Sequence, residues 1–301
     1  MEKKPRILAV VVTFNAMHWL DRCIGSLLES GAAPDVLVID NCSLDGTEEY
    51  LRERYPNVTL IENQENIGFG AANNIGFRHA LDGGYDFVYL MNQDAWVEKD
   101  TLSLLVAAAA PAYAVLSPVQ HSDGRKLDAM FSKRCGPYLK RGARVCEVPF
   151  VMAAHWLVRR DAIETVGGFS PAFSHCGEDD NWLDRARYFG YKAAVVTDAS
   201  AVHDRAGRDK APRGADRDTK KKYKAAAQDR RMYLKCLSTV IKVVDPGRSF
   251  AARIFVEPLE LVGMAVKNFS IAPLKYIPKL VRRYGELRRC RAQSGQKGAF
   301  L

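Results

Sequence analysis

The stretch "DVLVIDNCSLDGT", residues 35–47, passes from apolar to polar within one residue. Val36 to Ile39 make a short unbroken apolar run of strand length. Asp40, Asn41, Asp45 and Gly46 follow, and Thr47 opens a helical stretch to about Tyr55. The same sentence structure occurs on either side. "RILAVVV", residues 6–12, leads through "TFNA" into Leu20, Ile24, Leu27 and Leu28 at helical spacing, ending at Gly31. "VTLIEN", residues 58–63, precedes a helix from Gly70 to Leu81, and "DFVYLMNQD", residues 86–94, precedes a Leu- and Ala-rich helix opened by Asp100. Strands that are apolar throughout and alternate with helices predict βαβ units and a buried, mostly parallel sheet in an α/β fold.

In such sheets ligands lie beyond the carboxyl ends of the strands. The polar residues fall there: Thr13 and Asn15, Asp40 and Asn41, Asn63 and Asn66, Asn92 and Asp94. Any one of them fits a turn. Four pairs at one edge of one sheet outline a binding cleft.

Further along, residues 111–150 are irregular, with a hairpin-like Asp123–Gly124. "VPFVMAAHWLVRR", residues 148–160, reads as a core strand in which His155 and Trp156 pack. "DAIETVGG", residues 161–168, fits a helix with Asp161 as N-cap, Glu164 three residues later and Gly167 as terminator. In "GFSPAFSHCGEDDNWLDRARYFGYK", residues 168–192, Trp182, Leu183, Ala186 and Phe189 mark a buried helix face. Glu178, Asp179 and Asp180 then occupy the first turn, either as dipole-complementing residues or as chemistry. "KAAVVTDASAVHD", residues 192–204, is a strand with His203 at its far edge.

With 301 residues and 48% hydrophobic content, the chain can form one large domain with an appendage. No run of eighteen uncharged apolar residues exists, and the N-terminal residues read as neither signal peptide nor span. Seven scattered cysteines without a CxxC pair imply reduced thiols and a cytosolic setting. The net charge of +9 is unevenly placed, with 24 Lys/Arg against 8 Asp/Glu in residues 205–301. Residues 205–224 read as a basic mobile linker. Helical patterns resume near Ala225, with Ala251, Ile254, Phe255, Pro258, Val262, Val266 and Phe269 outlining an apolar face.

"NIGFGAANNIGF", residues 66–77, is neither a dinucleotide fingerprint nor a Walker sequence. Gly68 and Gly70 allow close backbone approach to a ligand, and Asn73 and Asn74 are poor helix formers whose amides suggest a ligand. Asp94, past an apolar strand, suits a divalent cation, and His203 offers an imidazole. A diphosphate and waters would complete so sparse a set.

These pieces together resemble the inverting, GT-A-fold glycosyltransferases of family 2, from about Arg6 to His203. "VVTFN" resembles the opening strand and nucleotide loop, "VIDNCSLDGT" the V-D-N-x-S-x-D-G-T segment, and "ENIGFGAANNIGF" the donor loop. "NQD" occupies the place of the Asp-x-Asp metal motif, and "GEDDNWLDRARYFGYK" resembles the acceptor-side segment with its Glu-Asp pair. The resemblance implies a Rossmann-like domain over residues 1–204, a nucleotide-diphosphate sugar donor and Mg²⁺ or Mn²⁺. It implies Asp94 and His203 as metal ligands. Thr13, Asn15, Asp40, Asn66, Gly68, Asn73, Asn74 and Asn92 would lie on the donor side. Asp179 would be the general base beside Glu178, with Asp180 and Trp182 on the acceptor side. Two departures stand out: Asn92 replaces the first metal-motif Asp, as in rhamnosyltransferase-like relatives, and Asn181 replaces a further acid.

The family resemblance leaves residues 205–301 unexplained. A basic amphipathic tail fits an anionic membrane face, which suits lipid-linked saccharide acceptors and a peripheral cytoplasmic location at an inner membrane. It equally fits a helical appendage packed on the catalytic domain, or a loop around Arg205 and Arg208 that closes on phosphates. A catalytically inactive sugar-nucleotide or glycan-binding protein of the same fold is the rival reading, separated by donor turnover. Nucleic acid is not expected, because no RRM, KH or zinc motif accompanies the basic charge.

Overall fold

A computed structural model describes residues 4–122, 126–173, 176–205, 217, 237–267 and 271–301. The predicted alternation is present: β1 (Ile7–Thr13), α1 (Leu20–Leu28), β2 (Asp35–Asp40), α2 (Thr47–Arg54), β3 (Thr59–Glu62), α3 (Phe69–Asp82) and β4 (Phe87–Asn92). β3, β2, β1 and β4 lie side by side and parallel, with Thr13 level with Asp40 and Val12 level with Asn92. The polar strand ends therefore share one edge, as expected.

The sheet then continues through β8 (His155–Arg159), β6 (Tyr113–His121), β9 (Lys192–His203) and β5 (Ala95–Val97), with β7 (Val145–Val148) also on β9. β8 runs antiparallel between β4 and β6, while β6 and β9 are parallel. β5 was not foreseen, since three residues after a polar turn carry no periodic signal. It pairs antiparallel with β9 and sets Ala95 opposite His203.

Alternate residues of β1 and β2 enter two cores. Leu8, Val10, Val12, Leu37 and Ile39 meet α3, α6 (Arg160–Val166) and α7 (Glu178–Tyr188). Ile7, Ala9, Val11, Val36 and Val38 meet α1, α2 and α4 (Thr101–Ala107). Helices on both faces explain why the strands are apolar throughout.

Three local expectations are corrected. The run 148–160 is not one strand: Phe150 to Ala154 are buried coil between β7 and β8, with the amide of Asn92 donating to Ala154 O. Asp161 is not an N-cap; it lies inside the first turn of α6, where its carboxylate takes two hydrogen bonds from the Arg159 guanidinium. Gly167 does terminate that helix, at φ +85°. Asp123–Gly124 lies outside the described residues, although its flanks bridge antiparallel at His121 and Leu127. Most of the expected linker, 206–216 and 218–224, and the stretch 225–236 also lie outside.

Residues 237–244 are helical, followed by helices Phe250–Lys267, Tyr276–Arg282 and Tyr284–Ser294. Leu237, Val240, Val243, Val244, Leu287 and Cys290 form a third cluster with Ala172 and Phe173, so this region is fastened to the segment before α7. The chain end reaches further in: Gly168 N–H donates to Ala299 O and Asn74 Nδ2 to Phe300 O. Among the described residues no helix is long and apolar enough to cross a membrane.

Candidate active site

The loops after β1 and β2 are locked together by Asp40. Its Oδ1 accepts from Thr13 Oγ1 and from Ser43 Oγ, each at 2.6 Å, and its Oδ2 accepts from Ser43 N at 2.7 Å. Asn15, at φ +52°, accepts from Leu44 N, and its own N–H donates to Ser43 Oγ. Thr13 and Asp40 are wholly buried, whereas Asn15, Leu44 and Asn66 are exposed. Asp40 shapes this loop, and any direct contact between its carboxylate and a base requires the loop to open. Phe14 N–H donates to Gln93 Oε1 at 2.7 Å, tying the same loop to the turn after β4.

At that turn the β5–β9 pairing brings Asp94 beside His203. Their Oδ1 and Nε2 atoms are 3.5 Å apart, both side chains are buried, and Asp204 N–H donates to Asp94 O. Asn92 joins them, with Nδ2 3.4 Å from His203 Nε2 and with Oδ1 buried and without a hydrogen-bond partner among the described residues. A carboxylate, an imidazole and an orphaned amide oxygen at one point fit a hard divalent cation. Among the described residues no group of three or more His, Cys, Asp or Glu forms a fuller cage. Arg205 Nε donates to His203 Nδ1 at 3.3 Å, which favours the proton on Nε2. Coordination through Nε2 therefore requires Arg205 to leave Nδ1; Asp128 Oδ2, 3.5 Å from Arg205 Nε, is a waiting partner.

His155 supports this corner from beneath. Tyr89 Oη bonds its Nδ1 at 2.8 Å and its Nε2 meets Val202 O at 3.0 Å, next to His203. Burial pushes its pKa down to about 3, so it stays neutral, as a packing role demands.

The three acids open α7 after Gly177, whose φ of +87° is left-handed. Glu178 is buried, and its Oε2 lacks a hydrogen-bond partner among the described residues. Burial, and then the neighbouring Asp179 charge, raise Glu178 to about 8. Burial, and then Asp180, raise Asp179 to about 7, against hydrogen bonds from the Asp180 and Ala153 amides. Desolvation thus outweighs the helix dipole, which by itself favours the ionised carboxylate. Asp180 instead pairs with Arg134 at 2.8 Å.

Two routes connect the acids to the Asp94 corner. Ala153 contacts Asp179 while the next residue, Ala154, accepts from Asn92 N–H. Alternatively, Asp128 caps α5 (Ala129–Arg134), reaching Arg205 at one end while Arg134 reaches Asp180 at the other. Six helical residues rise roughly 9 Å. Arg134 and Asp128 lie in the irregular middle of the chain and Ala153 in the run read as a strand, and no motif announces them.

The donor loop reaches the same place. A Cβ on Gly70 would sit 3.0 Å from Phe169 Cβ and 3.8 Å from Glu178 Cβ, so α3 begins against the first turn of α7. Asn66 Oδ1 accepts from Gly68 N–H within this loop. Two amides here bond to backbone. Asn74 is buried; its Oδ1 accepts from Phe169 N–H and its Nδ2 donates to Phe169 O and Phe300 O. Asn73 is buried and donates back to Phe69 O. The Asn74 amide is thus fully engaged with buried backbone, and Asn73 Nδ2 is held by a carbonyl one turn back. Trp182 is reassigned from the acceptor side to the core: it is wholly buried beside Phe77 and Trp156, and its Nε1 donates to Gly167 O.

Comparison with known proteins bears on the family and the fold. The model of glycosyl transferase family 2 matches residues 8–167. An N-acetylglucosaminyl-diphospho-decaprenol L-rhamnosyltransferase of Mycobacterium tuberculosis is 30% identical over 242 residues, covering 67% of this chain and 78% of that protein. Among solved structures, TarS of S. aureus aligns with a TM-score of 0.57 at 16% identity, over 96% of this chain and 81% of the other. A Pyrobaculum calidifontis mannosyltransferase, PcManGT, solved with GDP-Man and Mn²⁺, aligns with a TM-score of 0.56 at 17% identity, over 97% and 86%. These structural likenesses establish the GT-A fold, with helices following the sheet. The chain belongs to glycosyl transferase family 2.

Proposed function

We propose that this glycosyltransferase moves a sugar from a nucleotide-diphosphate donor to a hydroxyl of a lipid-linked saccharide, inverting the anomeric centre. The carrying observation is a carboxylate, Asp179, raised to about 7 and linked through Ala153 and Ala154 to the Asn92–Asp94 turn. A general base works best when its pKa lies near the operating pH. Asp179 takes the acceptor hydroxyl proton as that oxygen attacks the anomeric carbon, on the face opposite the departing diphosphate. The carbon–oxygen bond to the diphosphate breaks in the same displacement. Glu178 and the Arg134-paired Asp180 shape the acceptor side.

Asp94 and His203, with Asn92 Oδ1, would hold Mg²⁺ or Mn²⁺; a cation bound there supplies Lewis-acid stabilisation of the leaving diphosphate. The exposed loop around Asn15 and Leu44, with Asn66 and Gly68, borders the nucleoside. The mannosyltransferase solved with GDP-Man and Mn²⁺ supports the donor class and the cation. The rhamnosyltransferase relative, whose name carries a decaprenol diphosphate, supports the acceptor class and keeps deoxyhexose donors in view.

The test is incubation with nucleotide-linked rhamnose, mannose or N-acetylglucosamine, a short-chain polyprenyl diphosphate saccharide and Mg²⁺ or Mn²⁺. An anomeric coupling opposite in configuration to the donor's is expected in the product NMR spectrum. A retained configuration, or a bound donor never turned over with any acceptor, contradicts the proposal.

A further inference from the structure

Helix Phe250–Lys267 is amphipathic in the reverse sense to an ordinary packed helix. Its protein side holds Leu261 and Ala265 but also Glu257, only 1% exposed, which meets Arg253 at 3.2 Å and Lys242 at 3.6 Å. Its outward side carries Val256, Leu259, Val262 and Val266 at helical spacing, and Leu259 and Val266 are 69% and 70% exposed. The apolar face read from the sequence at Val262 and Val266 therefore points to solvent. Ala251, Ile254, Phe255 and Phe269 of that face lie outside the residues whose side chains are described. The exposed apolar character continues through Ile271, at 72%, Leu274, Val281, at 68%, and Tyr284.

The charge on this surface is mostly positive, and the exposed Glu260 is paired with Lys242. Residues 261–285 contain Lys267, Lys275, Lys279, Arg282 and Arg283 and no Asp or Glu. Single exposed apolar residues are ordinary, but a run of them flanked mainly by cations marks an interaction surface. We propose that this face lies on an anionic phospholipid bilayer, with the Val256–Val266 stripe, Ile271 and Val281 at the acyl boundary and the Lys and Arg side chains among the headgroups. Lys267, Lys275, Lys279 and Arg282 disfavour the alternative of a second copy, because a two-fold contact would set this positive surface against itself. No described helix is long and apolar enough to span, so the contact is in the membrane plane.

The surface is packed against the segment that precedes α7. Leu287 and Cys290 pack with Ala172 and Phe173, and Arg283 Nη2 donates to Ala172 O at 2.7 Å. Docking would thereby orient the segment that leads into Gly177 and Glu178. The inference stands on this surface alone and does not require the transfer chemistry to be as proposed.

The experiment is co-sedimentation of the full chain with phosphatidylcholine vesicles, with or without phosphatidylglycerol, at low and high salt. Binding should require the anionic lipid and weaken with salt. Leu259→Asp with Val266→Asp should weaken it by at least about tenfold. Lys275→Glu with Lys279→Glu, which leaves the apolar stripe intact, should remove the anionic preference. Equal binding of the Leu259/Val266 variant, no preference for anionic vesicles, or a wild-type dimer that this variant converts to monomer would overturn the proposal. Lipid binding is read without turnover, so its failure is distinct from failure of the transfer reaction.

Discussion

Asn92 and Asp179 are joined through two adjacent residues: Asn92 N–H donates to Ala154 O at 3.2 Å, and the Ala153 amide contacts the Asp179 carboxylate. Neighbouring Cα atoms are about 3.8 Å apart. The turn that carries Asp94 and the first turn of α7 are therefore both tied to one backbone segment, at neighbouring residues.

The raised carboxylates make activity and stability depend on pH in opposite ways. Asp179 must be ionised to accept a proton, so kcat/KM should fall about tenfold per unit below pH 7. Both Glu178 and Asp179 have folded values above their ordinary range near 4. Their contribution to stability is fully present below that range and is lost as pH rises through about 7 to 8. Glu178→Gln should accordingly raise Tm more at pH 9 than at pH 5. Thermal melts of both proteins at the two pH values check the sign, and an equal change at both would contradict it.

At the Asp94 corner, ligand binding to the native state should raise apparent stability. Mn²⁺ together with a nucleotide diphosphate should increase the Tm of the wild type. Asp94→Ala should abolish the metal-dependent part of that increase, and His203→Ala should reduce it. Identical shifts in all three proteins would count against a cation at this position.

Asn74→Ala distinguishes a structural amide from a donor ligand. It leaves the Phe169 N–H, Phe169 O and Phe300 O without their partner, which should cost roughly 2–4 kcal/mol of stability. Donor Kd, measured by calorimetry below the melting range, should be unchanged. A weakened Kd in a protein of normal stability would return Asn74 to the donor site.

Gly167→Ala probes the clasp formed by the chain end. At φ +85° its new Cβ would lie 1.9 Å from Ala299 O, so residues 298–301 must move. A loss of at least about 3 kcal/mol is expected. Gly84→Ala, at φ +69° but with open space around it, should cost only about 1 kcal/mol. Chemical denaturation of the two variants gives the comparison, and equal losses would mean the clasp contributes little.

What the sequence reveals and what it hides follow from the range of the forces involved. β1, α1, β2 and α3 are legible because both strands are buried on both faces and both helices have a repeating apolar side, so local pattern and tertiary environment agree. The Thr13–Asp40 and Asp94–His203 pairs follow from strand ends meeting in one sheet. The misreadings share a cause. Asn74, Asp161 and Trp182 carry polar atoms whose partners lie elsewhere in the fold or on a neighbouring side chain, and residue type alone cannot name the partner. Arg134 and Asp128 stayed hidden because the segment around them has no periodicity. The Glu178–Asp179 shift is invisible for the same reason: it arises chiefly from burial, which packing creates.

The assignment of Asp179 as general base is tested most directly by Asp179→Asn, with donor affinity and single-turnover transfer measured on the same preparation. An unchanged donor Kd with transfer reduced by about 10²–10⁴-fold is the expected result. Transfer at the wild-type rate, or a loss wholly explained by weaker donor binding, would contradict it.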